Sequence, residues 1–203
     1  MSQAIWIGLG AGAAALGLLL WSEVRDRPMA RGLAKATCSA CFVAVALSGG
    51  VHGRYAALVV TGLVLSVAGD VLLLSRAQKA FLAGLVSFLL AHVAYAAAFA
   101  PISSRPMLLL PLVGAALAGI LSWLWPHLGA MRLPVLAYCA VIGAMVWLAI
   151  GVPDPLVRWG AGLFFVSDLF VARGRFVRPG KLNQLVGWPL YYAGQFLLAL
   201  SLS

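Results

Sequence analysis

The sequence consists of long apolar runs that are interrupted only by short stretches of charged residues, proline and glycine. A helix that crosses a membrane needs about 20 consecutive apolar residues, and most of these runs approach that length. They extend over residues 4–21, 34–49, 55–75, 80–100, 107–125, 132–150, 156–172 and 184–202. The sequence therefore predicts an all-α integral membrane protein that folds as a bundle of eight transmembrane helices.

The composition leaves no room for a soluble domain beside these helices. Of the 203 residues, 64% are hydrophobic and 9% are charged, whereas soluble domains contain about 45–50% apolar and about 25% charged residues. We therefore expect residues 1–203 to form a single transmembrane domain. The apolar N-terminus lacks the positively charged region of a cleaved signal peptide, so we interpret it as the first membrane helix.

Basic residues are concentrated in every second connection between the runs. Such loops stay on the cytoplasmic side, which predicts both termini outside, with the inner membrane of a bacterium as the expected location. The net charge of +9 then favours anionic lipid headgroups as partners and not nucleic acid. The basic side carries Arg25, Arg27, Arg31, Lys35, Arg76, Lys79, Arg132, Arg173, Arg175, Arg178 and Lys181, and the other side carries Arg54, Arg105 and Arg158.

Two acidic residues, Asp70 and Asp168, lie within the apolar runs. The other three acids fall in predicted loops: Glu23, Asp26 and Asp154. A carboxylate at the centre of a membrane helix costs roughly 2.5–3.5 kcal/mol to insert, so such residues are usually functional. Both aspartates precede a basic loop by a little more than one turn, which predicts similar shallow depths on the cytoplasmic side. Paired carboxyls can act as acid and base, unless each merely pairs with a nearby arginine or caps a helix end.

The two runs that contain these aspartates end alike. Gly69-Asp70 is followed by Val-Leu-Leu-Leu-Ser-Arg76, and Ser167-Asp168 is followed by Leu-Phe-Val-Ala-Arg173. Because the aspartates stand four runs apart, and four is even, the two halves would share one orientation in the membrane. The pattern indicates two parallel four-helix repeats, or two helix ends that have converged on the same design.

Further polar side chains in the fourth and eighth runs are candidates for substrate binding: Ser87, His92, Tyr95, Tyr191, Tyr192 and Gln195. Counted from Lys79, His92 lies about 20 Å along its helix, so we expect it to line the pocket wall and not to share a proton with the aspartates. These positions trace a polar strip from the basic face toward the midplane. The strip suits an amphiphile that enters headgroup first from the inner leaflet, although interhelical hydrogen bonds explain the same residues.

Metal-binding proteins, intramembrane proteases and transporters have sequence features that can be compared with this chain. His52, His92 and His127 lack the clustered partners that a zinc site needs, so we expect no metal. An intramembrane aspartyl protease would carry Tyr-Asp and Gly-x-Gly-Asp signatures, but Ser167 precedes Asp168 and Val67 occupies the first glycine position. A proton-coupled transporter or lipid flippase that uses buried carboxylates stays open as an alternative.

Four blocks carry a resemblance to a known family: Ser66–Leu74 (SVAGDVLLL), Gly84–Tyr95 (GLVSFLLAHVAY), Gly162–Asp168 (GLFFVSD) and Tyr191–Gln195 (YYAGQ). In order and spacing they resemble the YhhN family of membrane proteins, which includes the lysoplasmalogenases. The resemblance implies eight membrane helices and hydrolysis of the vinyl-ether bond of lysoplasmalogens. The products would be a fatty aldehyde and a glycerophospho-alcohol.

The resemblance also implies roles for individual residues. Asp70 and Asp168 would be the catalytic pair, a lysophospholipid would be the substrate, and no cofactor would be needed. Ser167 is a further candidate for substrate binding, and Lys35 resembles a family lysine expected to contact phosphate, although Ala36 follows it where the family usually has proline. One carboxylic acid would protonate the vinyl ether, while the ionised partner would stabilise the oxocarbenium ion and activate water. Either aspartate can be the acid.

Overall fold

The protein is a bundle of α-helices, and its computed structural model describes residues 2–75 and 77–203. Seven of the eight helices are long and apolar enough to cross a membrane, while polar residues lower the mean hydropathy of the last one. The predicted helical membrane bundle is thereby confirmed. Met1 and Arg76, the latter counted above among the basic loop residues, lie outside the described residues. The helices are α1 (Gln3–Val24), α2 (Pro28–Ser48), α3 (Gly53–Leu72), α4 (Gln78–Phe99), α5 (Leu110–Leu124), α6 (Arg132–Ile150), α7 (Pro155–Ala172) and α8 (Lys181–Leu200).

Helix α2 begins earlier than predicted, and Glu23, a predicted loop residue, lies inside α1. Helix α2 begins at Pro28, earlier than the predicted residue 34, because proline fits the first turn of a helix, where its missing N–H is not needed. Lys35 therefore lies well inside α2 and is buried. Glu23 lies inside α1, is 4% exposed, and accepts a hydrogen bond of 2.5 Å from Arg31. This ion pair explains how a buried carboxylate is tolerated there.

Neighbouring helices pair as hairpins, and the hairpins then pack side by side. When α1–α4 are matched in order with α5–α8, the packing of α3 on α4 corresponds to that of α7 on α8. The packing of α2 on α8 likewise corresponds to that of α6 on α4. Helix α1 packs on α2 and α8, however, whereas α5 packs mainly on α6. Most side chains of α5 are exposed, and only Leu124 is buried. Two parallel repeats therefore stay a prediction, supported by part of the packing.

The connections predicted to be basic come together at one end of the bundle, called the basic end below. The Lys181 ammonium donates to Asp26 at 2.6 Å, which joins the first connection to the last. This hydrogen bond lowers the pKa of Asp26. Phe176, just beyond α7, packs against a cluster that includes Leu128 from the connection between α5 and α6. At the opposite end the hydroxyls of Tyr55 and Ser201 are 2.7 Å apart.

The helices of the α3–α4 hairpin approach closely at Gly62. A Cβ atom there would collide with the ring of Tyr95, which is fully buried. We expect Gly62→Ala to lower the free energy of unfolding by about 1–3 kcal/mol, because overpacking displaces the ring. Thermal unfolding in detergent measures this, with Gly17→Ala as control, since a Cβ at Gly17 meets nothing within 4 Å. An unchanged melting temperature for Gly62→Ala would contradict the close packing.

Candidate active site

A cavity of about 570 Å³ lies inside the bundle, and both Asp70 and Asp168 line it. Its volume falls in the range of about 300–1,000 Å³ that is usual for small-molecule sites. The cavity extends to the basic end, where Ser75 and Arg175 line it. Its wall toward α5 and α6 is apolar except at Tyr138 and Cys139, and includes Leu117, Ile120, Leu124, Val135 and Ile142. The structure therefore places the two predicted catalytic residues in one space that joins a polar mouth to an apolar wall.

Asp70, in the last turn of α3, has the surroundings of an ionised carboxylate. The residue is 2% exposed, and the Lys35 ammonium lies 3.1 Å from its Oδ1. Its Oδ2 accepts hydrogen bonds from the hydroxyls of Ser39 at 2.6 Å and Tyr191 at 2.7 Å. A buried charge is tolerated when an opposite charge and hydrogen bonds surround it. The ammonium and the two hydroxyls are the partners that such a carboxylate requires.

The partners of Asp70 are held in place by the packing of α2 against α8. Lys35 and Ser39 stand one turn apart on α2, so both face the same neighbour. The Tyr192 hydroxyl donates to the carbonyl oxygen of Lys35 at 3.2 Å and lies 3.3 Å from the Ser39 hydroxyl. The ion pair between Lys35 and Asp70 was not predicted from the sequence. It competes with the predicted contact between Lys35 and phosphate.

Asp168, on α7, has different surroundings. Its side chain is 18% exposed and lines the cavity. The Tyr138 hydroxyl donates to its Oδ2 at 2.7 Å, and Nε2 of His92 lies 3.6 Å from the same oxygen. Asp70 has a lysine and two hydroxyls, whereas Asp168 faces a neutral hydroxyl and an imidazole. The two carboxyls of the cavity are therefore chemically unlike.

His92 is completely buried beside Asp168. Its ring stacks on Phe164 with centroids 4.4 Å apart, and Nδ1 lies 2.6 Å from the carbonyl oxygen of Phe88. Because a carbonyl oxygen can only accept, Nδ1 carries a hydrogen. Nε2 then points toward Asp168 without a hydrogen bond from the described residues.

His92 was expected to line the pocket wall well beyond the level of both aspartates, but it does not line the cavity and lies level with Asp168. Helical structure does not end where α7 does, because a π-helical turn continues it over Arg173–Val177. Asp168 therefore lies about 13 Å from the end of its helical segment at about 1.5 Å per residue. This greater depth reduces the predicted difference, and the distance of 3.6 Å between His92 Nε2 and Asp168 Oδ2 shows that the two side chains lie at one level.

The structure divides the other predicted substrate-binding residues into two groups. Ser167 and Tyr191 line the cavity, whereas four residues, Ser87, Tyr95, Tyr192 and Gln195, lie behind its wall. These four bond between helices, as in the chain from Tyr95 through Gln195 to Ser66, with distances of 2.7 and 3.2 Å. Ser87 donates to the carbonyl oxygen of Leu65 at 2.7 Å. Their role in substrate binding stays a prediction.

Sequence reasoning missed Ser39 and Tyr138, which bond directly to the two aspartates. Both are polar residues within apolar runs, and the same criterion that singled out the aspartates would have found them. Tyr138 could not have been assigned to Asp168, however, because that requires the packing of α6 against α7.

The fold and the cavity define a class of protein: a multi-pass helical membrane protein with two unlike carboxyl groups in a cavity within the bundle. The chain belongs to the YhhN family, whose sequence profile matches residues 30–202. The resemblance found in the four sequence blocks is thereby confirmed over most of the chain.

Individual relatives extend this match. A protein named lysoplasmalogenase from Mycobacterium bovis (strain ATCC BAA-935 / AF2122/97) is 32% identical over 209 residues, which cover 95% of this chain and 79% of that protein. Lysoplasmalogenase TMEM86B from Mus musculus is 34% identical over 197 residues, covering 97% of this chain and 85% of that protein. Lysoplasmalogenase TMEM86A from Homo sapiens is 37% identical over 153 residues, covering 69% and 62% respectively. No solved structure matches the chain significantly.

Proposed function

We propose that the chain is a hydrolase that cleaves the vinyl-ether bond of lysoplasmalogens, 1-alkenyl glycerophosphocholine or glycerophosphoethanolamine. The observation that carries this proposal is the pair of unlike carboxyl groups, Asp70 and Asp168, in one cavity. The names of the relatives support the same reaction. The apolar wall suits the alkenyl chain, and the polar mouth suits the headgroup.

Asp168 is the proton donor in this proposal. Its carboxylic acid transfers a proton to the β-carbon of the vinyl ether, where the electron pair of the double bond forms the new C–H bond. The positive charge is then shared by the α-carbon and the ether oxygen. A water molecule attacks the α-carbon and gives its proton to the Asp168 carboxylate, which restores the acid. The resulting hemiacetal collapses to a fatty aldehyde and a glycerophospho-alcohol.

Asp70 stabilises the oxocarbenium ion without exchanging a proton. Lys35, Ser39 and Tyr191 hold its carboxylate in place, so it presents a negative charge to the cation that develops in the transition state. A charge that is already oriented needs no reorganisation during the reaction, and such preorganised electrostatics are usually the largest contribution to catalysis. The proposal therefore assigns the acid to Asp168 and the ionised partner to Asp70.

His92 and Tyr138 act as positioning residues for Asp168. We expect His92→Asn to lower kcat about tenfold, equivalent to about 1.4 kcal/mol, with KM nearly unchanged. The asparagine amide can still donate toward the Phe88 carbonyl, but Nε2 is lost. Steady-state kinetics measure the effect, with the lipid-facing Val93→Ala as control on the same helix. A change in KM alone would show that His92 shapes the cavity instead.

Hydrolysis is tested with purified protein in detergent and mass spectrometry of the products. The protein should release a fatty aldehyde from a 1-alkenyl lysophospholipid and leave the 1-alkyl and 1-acyl analogues intact, because only the vinyl ether has a double bond to protonate. Cleavage of the acyl ester would refute the mechanism. Proton-dependent flux of unaltered lipid in sealed vesicles, with no aldehyde, would favour the transporter that the buried carboxylates also suit.

We further propose that the basic end faces the cytoplasm of a bacterium, with the chain in the inner membrane. The basic residues of the connections between α1 and α2 and between α7 and α8 support this orientation. The cavity would then receive lipid from the inner leaflet. A cysteine-accessibility experiment on intact cells checks it: Arg178→Cys should react only with membrane-permeant reagents.

A further inference from the structure

The mouth of the cavity holds positive charge that no carboxylate of the described residues pairs with. The ion pairs of the first connection, described above, join basic residues to carboxylates. Arg173 instead donates to the side-chain oxygen of Asn183 at 2.7 Å, and Arg175 donates to the side-chain oxygen of Gln78. Both acceptors are neutral amides. Neither guanidinium is paired with a carboxylate of the described residues, and that of Arg175 lines the cavity.

Arg175 lies where its positive charge can contact a ligand in the cavity. Its guanidinium carbon lies 4.1 Å from the centroid of the Phe81 ring, and both residues line the cavity. The aromatic face and the Gln78 amide together orient the guanidinium, although the side chain is exposed. A guanidinium carries five N–H donors, so donors remain for a ligand. Planar oxyanions such as carboxylates, and phosphate oxygens, are the ligands that this donor geometry fits.

The backbone that carries Arg175 is irregular. Arg173–Val177 form a π-helical turn, in which the Arg178 N–H donates to the carbonyl oxygen of Arg173 at 2.7 Å. Turns of this kind occur frequently at functional sites. Asn183 is 5% exposed, lines the cavity, and bonds to the carbonyl oxygens of Arg178 and Gly180. The start of α8 thus fixes the turn at the mouth.

The spacing from Asp168 to Arg175 matches the proposed substrate. Arg175 stands two helical turns beyond Asp168, which corresponds to about 10 Å at about 1.5 Å per residue. In a lysoplasmalogen, seven bonds separate the β-carbon of the vinyl ether from the phosphorus, a reach of about 8 Å at the length per bond of an extended chain. A substrate whose β-carbon meets Asp168 can therefore present its phosphate to Arg175.

We propose that Arg175 binds the phosphodiester of the lysophospholipid headgroup. This inference rests on the proposed function and adds a determinant of specificity to it. The contact recognises the phosphate that choline and ethanolamine headgroups share. It does not distinguish between the two headgroup amines. A 1-alkenylglycerol, which has the same vinyl ether but no phosphate, gains nothing from Arg175.

The test compares these two substrates in wild-type protein, Arg175→Gln and Arg178→Gln. We expect Arg175→Gln to raise KM for 1-alkenyl glycerophosphoethanolamine at least about tenfold, with kcat within about twofold, because a charge-assisted contact is lost. KM for 1-alkenylglycerol should not change. Arg178 is exposed on the same turn but does not line the cavity, so Arg178→Gln should leave both substrates unaffected.

Three results would overturn the phosphate site. They are an equal loss on both substrates, an equal effect of Arg178→Gln, and an unchanged KM in Arg175→Gln. Failure of the proposed function is distinct, because it means that wild-type protein releases aldehyde from neither substrate. Binding of a 1-alkyl lysophospholipid then tests the site without turnover. Its Kd should rise about tenfold in Arg175→Gln if a charged contact worth about 1.4 kcal/mol is lost, and an unchanged Kd would refute the site.

Discussion

Asp168→Asn is expected to lower kcat for vinyl-ether hydrolysis by about 10²–10⁴-fold, the usual contribution of a general acid. Asparagine has the shape of aspartate, and its side-chain oxygen can still accept the hydrogen bond that Tyr138 donates to Oδ2. It has no carboxylic acid proton to give to the β-carbon. Substrate binding should persist, so KM should change little. Aldehyde release by purified protein measures both constants.

The matched control for this substitution is Asp26→Asn, which removes a carboxylate from the surface. Asp26 lies between α1 and α2, and its side chain is 72% exposed. We expect this variant to retain full activity, although it loses the ion pair with Lys181. Both variants should unfold at nearly the wild-type temperature. If Asp168→Asn remained folded and active, Asp168 would not be the acid, and the same assay on Asp70→Asn would test the reverse assignment.

The helices were predicted best where one apolar run is bounded by charge or proline. The run 132–150 coincides with α6, Arg132–Ile150, and the run 156–172 differs from α7, Pro155–Ala172, by one residue. Helix α2 was predicted too short, because its first turns contain basic and hydroxyl residues. Hydropathy reports which residues avoid water, whereas a helix also continues through residues that find polar partners inside the bundle. The π-helical turn after α7 leaves no periodic signal in the sequence.

The candidate site was predictable only in part. Asp70 and Asp168 stood out because a carboxyl in an apolar run is costly wherever the helices pack. Their partners depend on which helix faces which, and Lys35 was therefore predicted as a phosphate contact although it pairs with Asp70. The depth of His92 was measured along its own helix, and such a measure contains no information on the register between helices. Its position 3.6 Å from Asp168 emerged only from the packing.

Lys35→Met is expected to lower the free energy of unfolding by about 3–5 kcal/mol, which is the usual cost of removing one partner of a buried ion pair. Methionine preserves most of the apolar stem of lysine but leaves Asp70 without a countercharge. Asp70 is 2% exposed, so its charge is poorly compensated once the ammonium is gone. Activity should fall as well, because the displaced carboxylate no longer faces the oxocarbenium ion. Denaturant titration in detergent and aldehyde release measure the two effects separately.

The double variant Lys35→Met/Asp70→Asn separates a structural role of Asp70 from a catalytic one. With both charges removed, no buried ion is left unpaired, and the asparagine oxygen can still accept from Ser39 and Tyr191. Most of the lost stability should therefore return, since replacing both partners of a buried pair is often neutral or stabilising. Activity should stay low, because no negative charge faces the cation. Recovery of both stability and activity would mean that Asp70 serves only to pair with Lys35.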